Sequence, residues 1–268
     1  MQSGAALLEP WKAEFVPSFS YQWNQISQPN QLALTTTGTV LVSNSVRRFN
    51  QMEAAGLIRL GLPWETQAEL RFPYDFKSLS TTTAVAGTGL SEQIVDAHGY
   101  GDPILDVTKQ LMTERDYFPS LFVSGLVEPN AGQTDKGIPL GMGFDQFRAG
   151  LIATKRQDPL VFTAGFTYQT ALQNKGIVPG DQYTPSVGLL FAASPETSLQ
   201  FSQQLTWARP IERNHITIPG SNQLSGAFNV GLLSILGPGL VLNLGAAIGE
   251  TPDAPNLTLQ VSFPIKLN

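Results

Sequence analysis

The ten residues AELRFPYDFK, 68–77, alternate without a break: Ala68, Leu70, Phe72, Tyr74 and Phe76 on one side, Glu69, Arg71, Pro73, Asp75 and Lys77 on the other. Successive side chains of an extended strand point to opposite faces, so this segment carries one wholly apolar face and one largely ionised face. The apolar face must meet a protein core or lipid. If it meets lipid, the charges point into a water-filled interior.

Working outward, the same alternation recurs about twelve times, in segments close to the ~10 residues that an outer-membrane strand needs. Phe15, Phe19, Tyr21 and Trp23 oppose Ser18, Ser20, Gln22 and Asn24; Met52, Ala54, Ile58 and Leu60 oppose Gln51, Glu53 and Arg59. After GYGD (99–102), Leu105, Val107 and Leu111 oppose Asp102, Asp106, Thr108 and Gln110, with Lys109 an exception on the apolar side. Leu199, Phe201, Leu205 and Trp207 oppose Gln200, Ser202, Gln204 and Thr206, and the last segment lines up Leu257, Leu259, Val261, Phe263, Ile265 and Leu267. Short connections such as LPWE, RQDP, SPET and LGPG alternate with long ones near 25–42, 78–98, 130–143, 171–183, 209–222 and 250–256. That is the short-periplasmic, long-extracellular pattern of a transmembrane β-barrel.

Composition agrees. Only 14% of the 268 residues are charged, below the ~25% usual in soluble domains, and 25 Gly and 19 Pro punctuate the chain. Lys and Arg total 16 against 21 acids, a net charge of −5 with no basic run, which excludes the footprint of a nucleic-acid binder. There is no cysteine, hence no disulfide and no thiolate site. No apolar run reaches the ~18 residues of a spanning helix. MQSGAALLEP lacks the basic and apolar regions of a signal peptide and reads as a mature start. The expected fold is all-β: one antiparallel transmembrane barrel of about twelve strands over 13–268 in the bacterial outer membrane, against lipid and lipopolysaccharide, preceded by a lead segment over 1–12.

A barrel of that size is too wide for side chains to fill, since about eight strands is the limit, so its interior hydrates and the polar face is the inner one. The alternative is a two-sheet sandwich burying the apolar face. On the barrel reading the pore is lined by Glu53, Arg59, Glu69, Arg71, Asp75, Lys77, Asp102, Asp106, Arg148, Gln200, Gln204 and Asn243. Glu69, Arg71, Asp75 and Lys77, beside Glu53 and Arg59, form an ionic patch suited to holding a plug or selecting permeants. Phe15, Trp23, Phe76, Tyr168 and Trp207 fall near strand ends, where membrane interfaces favour amphipathic rings.

Catalytic and metal residues are expected to be absent, and no cofactor is called for. The two histidines, His98 before the fourth strand on the lumen side and His215 in a loop, have no Ser and acid arranged about them. Asp102 and Asp106, about 13 Å apart along a strand, cannot share an ion. Pro17, Pro73 and Pro264 inside strand patterns point to bulges, and the long segment 78–98 is the candidate for folding into the pore.

The stretches GAALLEPWKAEFVPSFSY (4–21), GYGD (99–102), VEPNAG (127–132) and SFPIKL (262–267) resemble the outer-membrane barrels associated with aromatic meta-degradation pathways and, within them, the Fap functional-amyloid secretion transporters. The resemblance implies a trimeric barrel that passes unfolded amyloid subunits to the cell surface in biofilm formation. It also implies a periplasmic coiled coil and a helical plug upstream of the barrel, residues 4–12 then being the tail of a plug linker. A passive porin for small, aromatic solutes is the alternative function, and a barrel-embedded lipid hydrolase a lesser one.

Overall fold

Period-two alternation with β-branched and aromatic outward positions suits extended chain and not helix. The computed structural model is accordingly strand and loop, with no helix among the described residues. It describes residues 7–34, 40–85 and 89–267, with side chains for all of these except 27–34, 40–44, 84–85 and 89–90.

The strands are β1 (Ala13–Leu34), β2 (Val40–Leu62), β3 (Thr66–Val85), β4 (Gly89–Tyr100), β5 (Ile104–Met112), β6 (Ser120–Glu128), β7 (Thr134–Asp135), β8 (Ile138–Pro139), β9 (Gln146–Gln157), β10 (Leu160–Ala171), β11 (Ile177–Val178), β12 (Gln182–Ala192), β13 (Thr197–Ala208), β14 (Glu212–Arg213), β15 (Ile216–Thr217), β16 (Gln223–Gly237), β17 (Leu240–Gly249), β18 (Leu257–Ser262) and β19 (Ile265–Leu267). Fourteen of them form one antiparallel sheet, and because β16 pairs with β17 and β18 with β1, that sheet closes on itself. β4 with β5, and β18 with β19, are each one broken stave, so the barrel has twelve. The small strands belong to loops: β7 pairs β8, and β11, β14 and β15 join two loops at one rim.

The distribution of side chains is inside-out. Phe19, Met52, Phe72, Phe76, Val187 and Trp207 are exposed on the outer wall, while Glu14, Gln67, Asp75, Thr108, Gln146, Thr154 and Ser202 are buried on the inner side. A sandwich would show the reverse. Closure also pairs each of the twelve staves with a neighbour on both sides, as a lipid environment demands. The chain is therefore a transmembrane barrel of the bacterial outer-membrane type.

Ala13 pairs with Leu267, so both barrel ends of the chain share one rim with the five short connections. Two residues with positive φ, Trp64 and Glu65, and Gly239 make the tightest of these turns possible. Trp11, Trp64, Tyr117 and Phe118 stand exposed at this rim, an aromatic girdle that alternation within strands could not reveal because these residues lie outside them. In the longest turn Glu114 sits 3.2 Å from Lys155 and accepts the Arg156 N–H. Desolvation opposes ionisation there, but these hydrogen bonds and charges together hold its carboxyl below the ordinary range. With this rim periplasmic, a cysteine at Asp158 should stay unlabelled by an impermeant maleimide on intact cells while one at Asn222 reacts. The opposite pattern would invert the topology.

Two expectations change. Much of the long connections 25–42 and 78–98 is strand: β1 has 22 residues, β2 23 and β3 20, and β4 fills 89–100. Ten residues suffice to cross the bilayer, so these four strands project well beyond the rim as a sheet. Segment 78–98 is thus a hairpin and not an inward loop; its tip, 86–88, lies outside the described residues. The proline bulges also fall elsewhere. Register runs unbroken through Pro17↔Gly56 and Ala55↔Pro73, because a missing N–H need not shift the pairing. The slip lies opposite Pro73, where Arg71 pairs Ile104 but Tyr74 pairs Tyr100, and the extra residue falls in Gly101–Pro103. Pro264 only interrupts the bonding between β18 and β19.

Candidate functional site

Strands β1, β2, β3 and β5 carry the ionic patch on one wall. Register sets Glu14, Arg59, Glu69 and Asp106 side by side, and Glu53 beside Asp75. Arg59 bridges Glu14 (2.5 Å) and Glu69 (2.9 Å), Arg71 pairs with Glu53, and Gln67 donates to Glu69 at 2.8 Å. Asp106 accepts from Thr108 at 3.0 Å. Glu14 was not among the expected pore residues, although it shares the polar face of Ser18 and Ser20. The predicted residues of these strands do converge, but as pairs satisfied within the wall. These pairs are largely buried, so the attraction within each mainly offsets the desolvation of its own charges.

Asp75 and Asp102 are not open pore wall. Asp75 is only 3% exposed and accepts from Gln51 at 2.6 Å. Asp102, 2% exposed, lies in the bulge and accepts three backbone N–H groups of the loop 129–145: Ala131 (2.9 Å) and Gly132 (2.6 Å) on Oδ1, Met142 (2.6 Å) on Oδ2. The loop closes around this carboxylate. A Cβ at Gly132 would stand 2.9 Å from Asp102 Oδ1, and one at Gly141 would overlap the carboxylate, so the close approach needs glycine at both. GYGD and VEPNAG, 25 and more residues apart in sequence, are therefore the two halves of one clasp.

The same loop is held at other points. Lys77 Nζ donates to the carbonyls of Pro139 and Leu140 at 3.0 Å each. Leu140 is buried against the inner face of β4, where a Cβ on Gly99 would meet its Cδ1 at 2.8 Å. The β7–β8 hairpin, turned by Lys136 and Gly137 at positive φ, lies along the edge of β4: Gln133 N donates to Tyr100 O at 2.9 Å and Lys136 Nζ to Asp96 O at 2.8 Å. Segment 138–142 thus rests on the lumen wall, and this loop, not 78–98, is the one that packs inward. At the other mouth Leu8 N donates to Gln67 at 2.9 Å, and Gly61 leaves no room for a Cβ beneath the carbonyls of Leu8 and Glu9. Residues 7–12 of the expected lead therefore approach the lumen side of the wall; 1–6 lie outside the described residues.

Arg148 continues the row of the patch, two strands along from Asp106 through Leu126, and the remaining expected residues lie on β13 and β17. Arg148 donates twice to Gln169 (3.0 and 2.8 Å), which in turn donates to Gln146 at 2.6 Å. Gln200 and Asn243 line a cavity of about 120 Å³ with Ser202, Asn229, Thr258 and Gln260. Gln204 continues the same face, opposite Ser186 and Ala227. His98 is not on the lumen side: it lies within β4 on the outer face, stacked near Phe76. His215 sits in the β14–β15 turn with positive φ. Because Lys77 of the charged row donates to two loop carbonyls, Lys77→Met should raise single-channel conductance. Arg71→Gln should alter cation over anion selectivity alone; the same response from both would deny the distinction.

No family model matches the chain. Its fold is similar to that of the COG4313 outer membrane channel from Pseudomonas putida F1, with a TM-score of 0.73 at 13% identity over 100% of both chains. Weaker likenesses, too low to argue from, are the CymD monoaromatic hydrocarbon channel (TM-score 0.44, 9% identity, 97% of this chain and 90% of that one) and the translocator domain of the autotransporter NalP from Neisseria meningitidis (0.40, 10%, 99% and 90%). The likeness is one of fold: an outer-membrane-type barrel, here with a polar-lined interior.

Proposed function

We propose that the barrel is a gated channel whose permeant is an extended polypeptide, an unfolded amyloid subunit passed to the cell surface. The observation that carries this reading is the wall of Gln200, Ser202, Asn229, Asn243, Thr258 and Gln260. Amides and hydroxyls both donate and accept, so they can exchange hydrogen bonds with a moving peptide backbone at little net change and hold no residue of it tightly. The charged wall holds more acids than bases, Glu14, Glu53, Glu69 and Asp106 against Arg59 and Arg71, so it favours basic stretches of a passing chain. The loop clasped by Asp102 supplies the gate.

The proposal includes the homotrimer that the family resemblance implies, and it treats the barrel as non-enzymatic. Proteoliposomes are the test. An unfolded, fluorophore-tagged peptide on one side should reach a protease enclosed on the other at a rate that rises when the gate is weakened. Native mass spectrometry of the extracted protein should give three chains, and a monomer would remove that part. The second reading, a channel for small solutes, is favoured by the loop lying on the lumen wall. Liposome swelling by sugars or aromatic acids without peptide passage would select it.

A further inference from the structure

Three rings stand side by side on the outer wall at the long-loop rim. Tyr168 of β10, Tyr183 of β12 and Trp207 of β13 are register partners, with centroids 5.4 and 5.8 Å apart. Arg209, two residues beyond Trp207 on the same face, holds its Cζ 5.8 Å from the Tyr183 ring centre.

The cation is placed by its backbone. Arg209 N donates to Asp181 O at 2.9 Å, and Gly180 packs so closely on the Arg209 carbonyl that a Cβ there would overlap it. Asp181 is the neighbouring acid, but Thr170 donates to its Oδ1 at 2.8 Å, and its Oδ2 stands 3.8 Å from Arg209 Nη1. That ion pair is long, and the Arg209 side chain is 58% exposed. Below the rings the wall offers exposed Phe166, Val187 and Leu205.

An aromatic belt by itself is expected at any membrane interface. A cation over the middle one of three adjacent, mutually tilted rings, above an apolar wall, matches one amphiphile of the outer leaflet in three places at once. We propose that this is a binding site for the phosphorylated glucosamine headgroup of lipid A. The guanidinium takes the phosphate through its paired N–H donors, the rings take the apolar face of the sugar, and the acyl chains run down Phe166, Val187 and Leu205. The proposal rests on the barrel standing in an outer membrane and not on what passes through it, so conductance and binding can fail separately.

The test is titration of the detergent-solubilised barrel with Kdo2-lipid A, followed by thermophoresis, with heat-modifiable gel mobility confirming that each variant is folded. Arg209→Ala should weaken binding about tenfold, a loss of the size expected for one charge-assisted contact. Tyr183→Ala, which removes the ring beneath the cation, should do likewise. Trp64→Ala at the opposite rim should bind as wild type, and lipid A stripped of its phosphates should bind wild type and Arg209→Ala alike. If Arg209→Ala kept full affinity, or if phosphatidylglycerol bound wild type as well as Kdo2-lipid A does, the cluster would be an ordinary interfacial belt.

Discussion

Val261→Arg is expected to destabilise the barrel by about 2–4 kcal/mol, and Gln260→Arg by much less. The two residues are adjacent in β18 but face opposite ways. Val261 lies between Phe19 and Leu244 in register on the apolar outer wall, whereas Gln260 lies between Ser20 and Gly245 and lines the lumen cavity. A guanidinium at Val261 must lose its hydration or drag water and headgroups inward; at Gln260 it stays wet. Reversible unfolding by guanidinium chloride from liposomes would measure both. Equal costs would mean that the outer wall does not face hydrocarbon.

Asp102→Ala is expected to release the loop and raise single-channel conductance, at a stability cost of roughly 2–4 kcal/mol. The carboxylate is the common acceptor for Ala131, Gly132 and Met142, at both ends of the inward segment. Without it the N–H groups of Gly132 and Met142 would be left against the wall without an acceptor, each costing about 1–3 kcal/mol, while Ala131 keeps the Pro129 carbonyl at 2.8 Å, so the loop lowers its energy by moving into water. The remaining ties, Lys77 to Pro139 and Leu140, Gln133 to Tyr100 and Lys136 to Asp96, do not offset that loss. Asp102→Asn should act more mildly, since its carbonyl still serves one end while its NH₂ meets a donor at the other. Planar-bilayer recording decides the matter: unchanged conductance in Asp102→Ala would show that the loop is not the constriction.

The wall was legible and the loop clasp on Asp102 was not. Leu70, Phe72 and Phe76 announce the outer face from their own neighbours, because strand geometry sends alternate residues to opposite sides wherever the strand lies. The same holds for the inward direction of Arg59, Glu69, Asp106 and Gln200. What these groups bond to is another matter. Asp102 looked like one more lumen carboxylate, yet its partners are 29 to 40 residues away in sequence, and the only local trace of them was the glycine richness of 132–143. His98 was assigned the wrong face because the slip at Gly101–Pro103 changes the parity between β4 and β5.

From the residues alone came the class of fold, the number of staves, the two faces and the rim to which each turn belongs. All of these follow from a period of two, from segment length against bilayer thickness and from loop length, which are local quantities. The tertiary structure alone decided how far β1 to β4 run beyond the membrane, since polar Ser, Thr, Gln and Asn segments become strand only when a partner supplies the ladder. It also decided which loop packs against the inner wall. A carboxylate is satisfied by whatever donors reach it first in space, and no sequence period carries that distance.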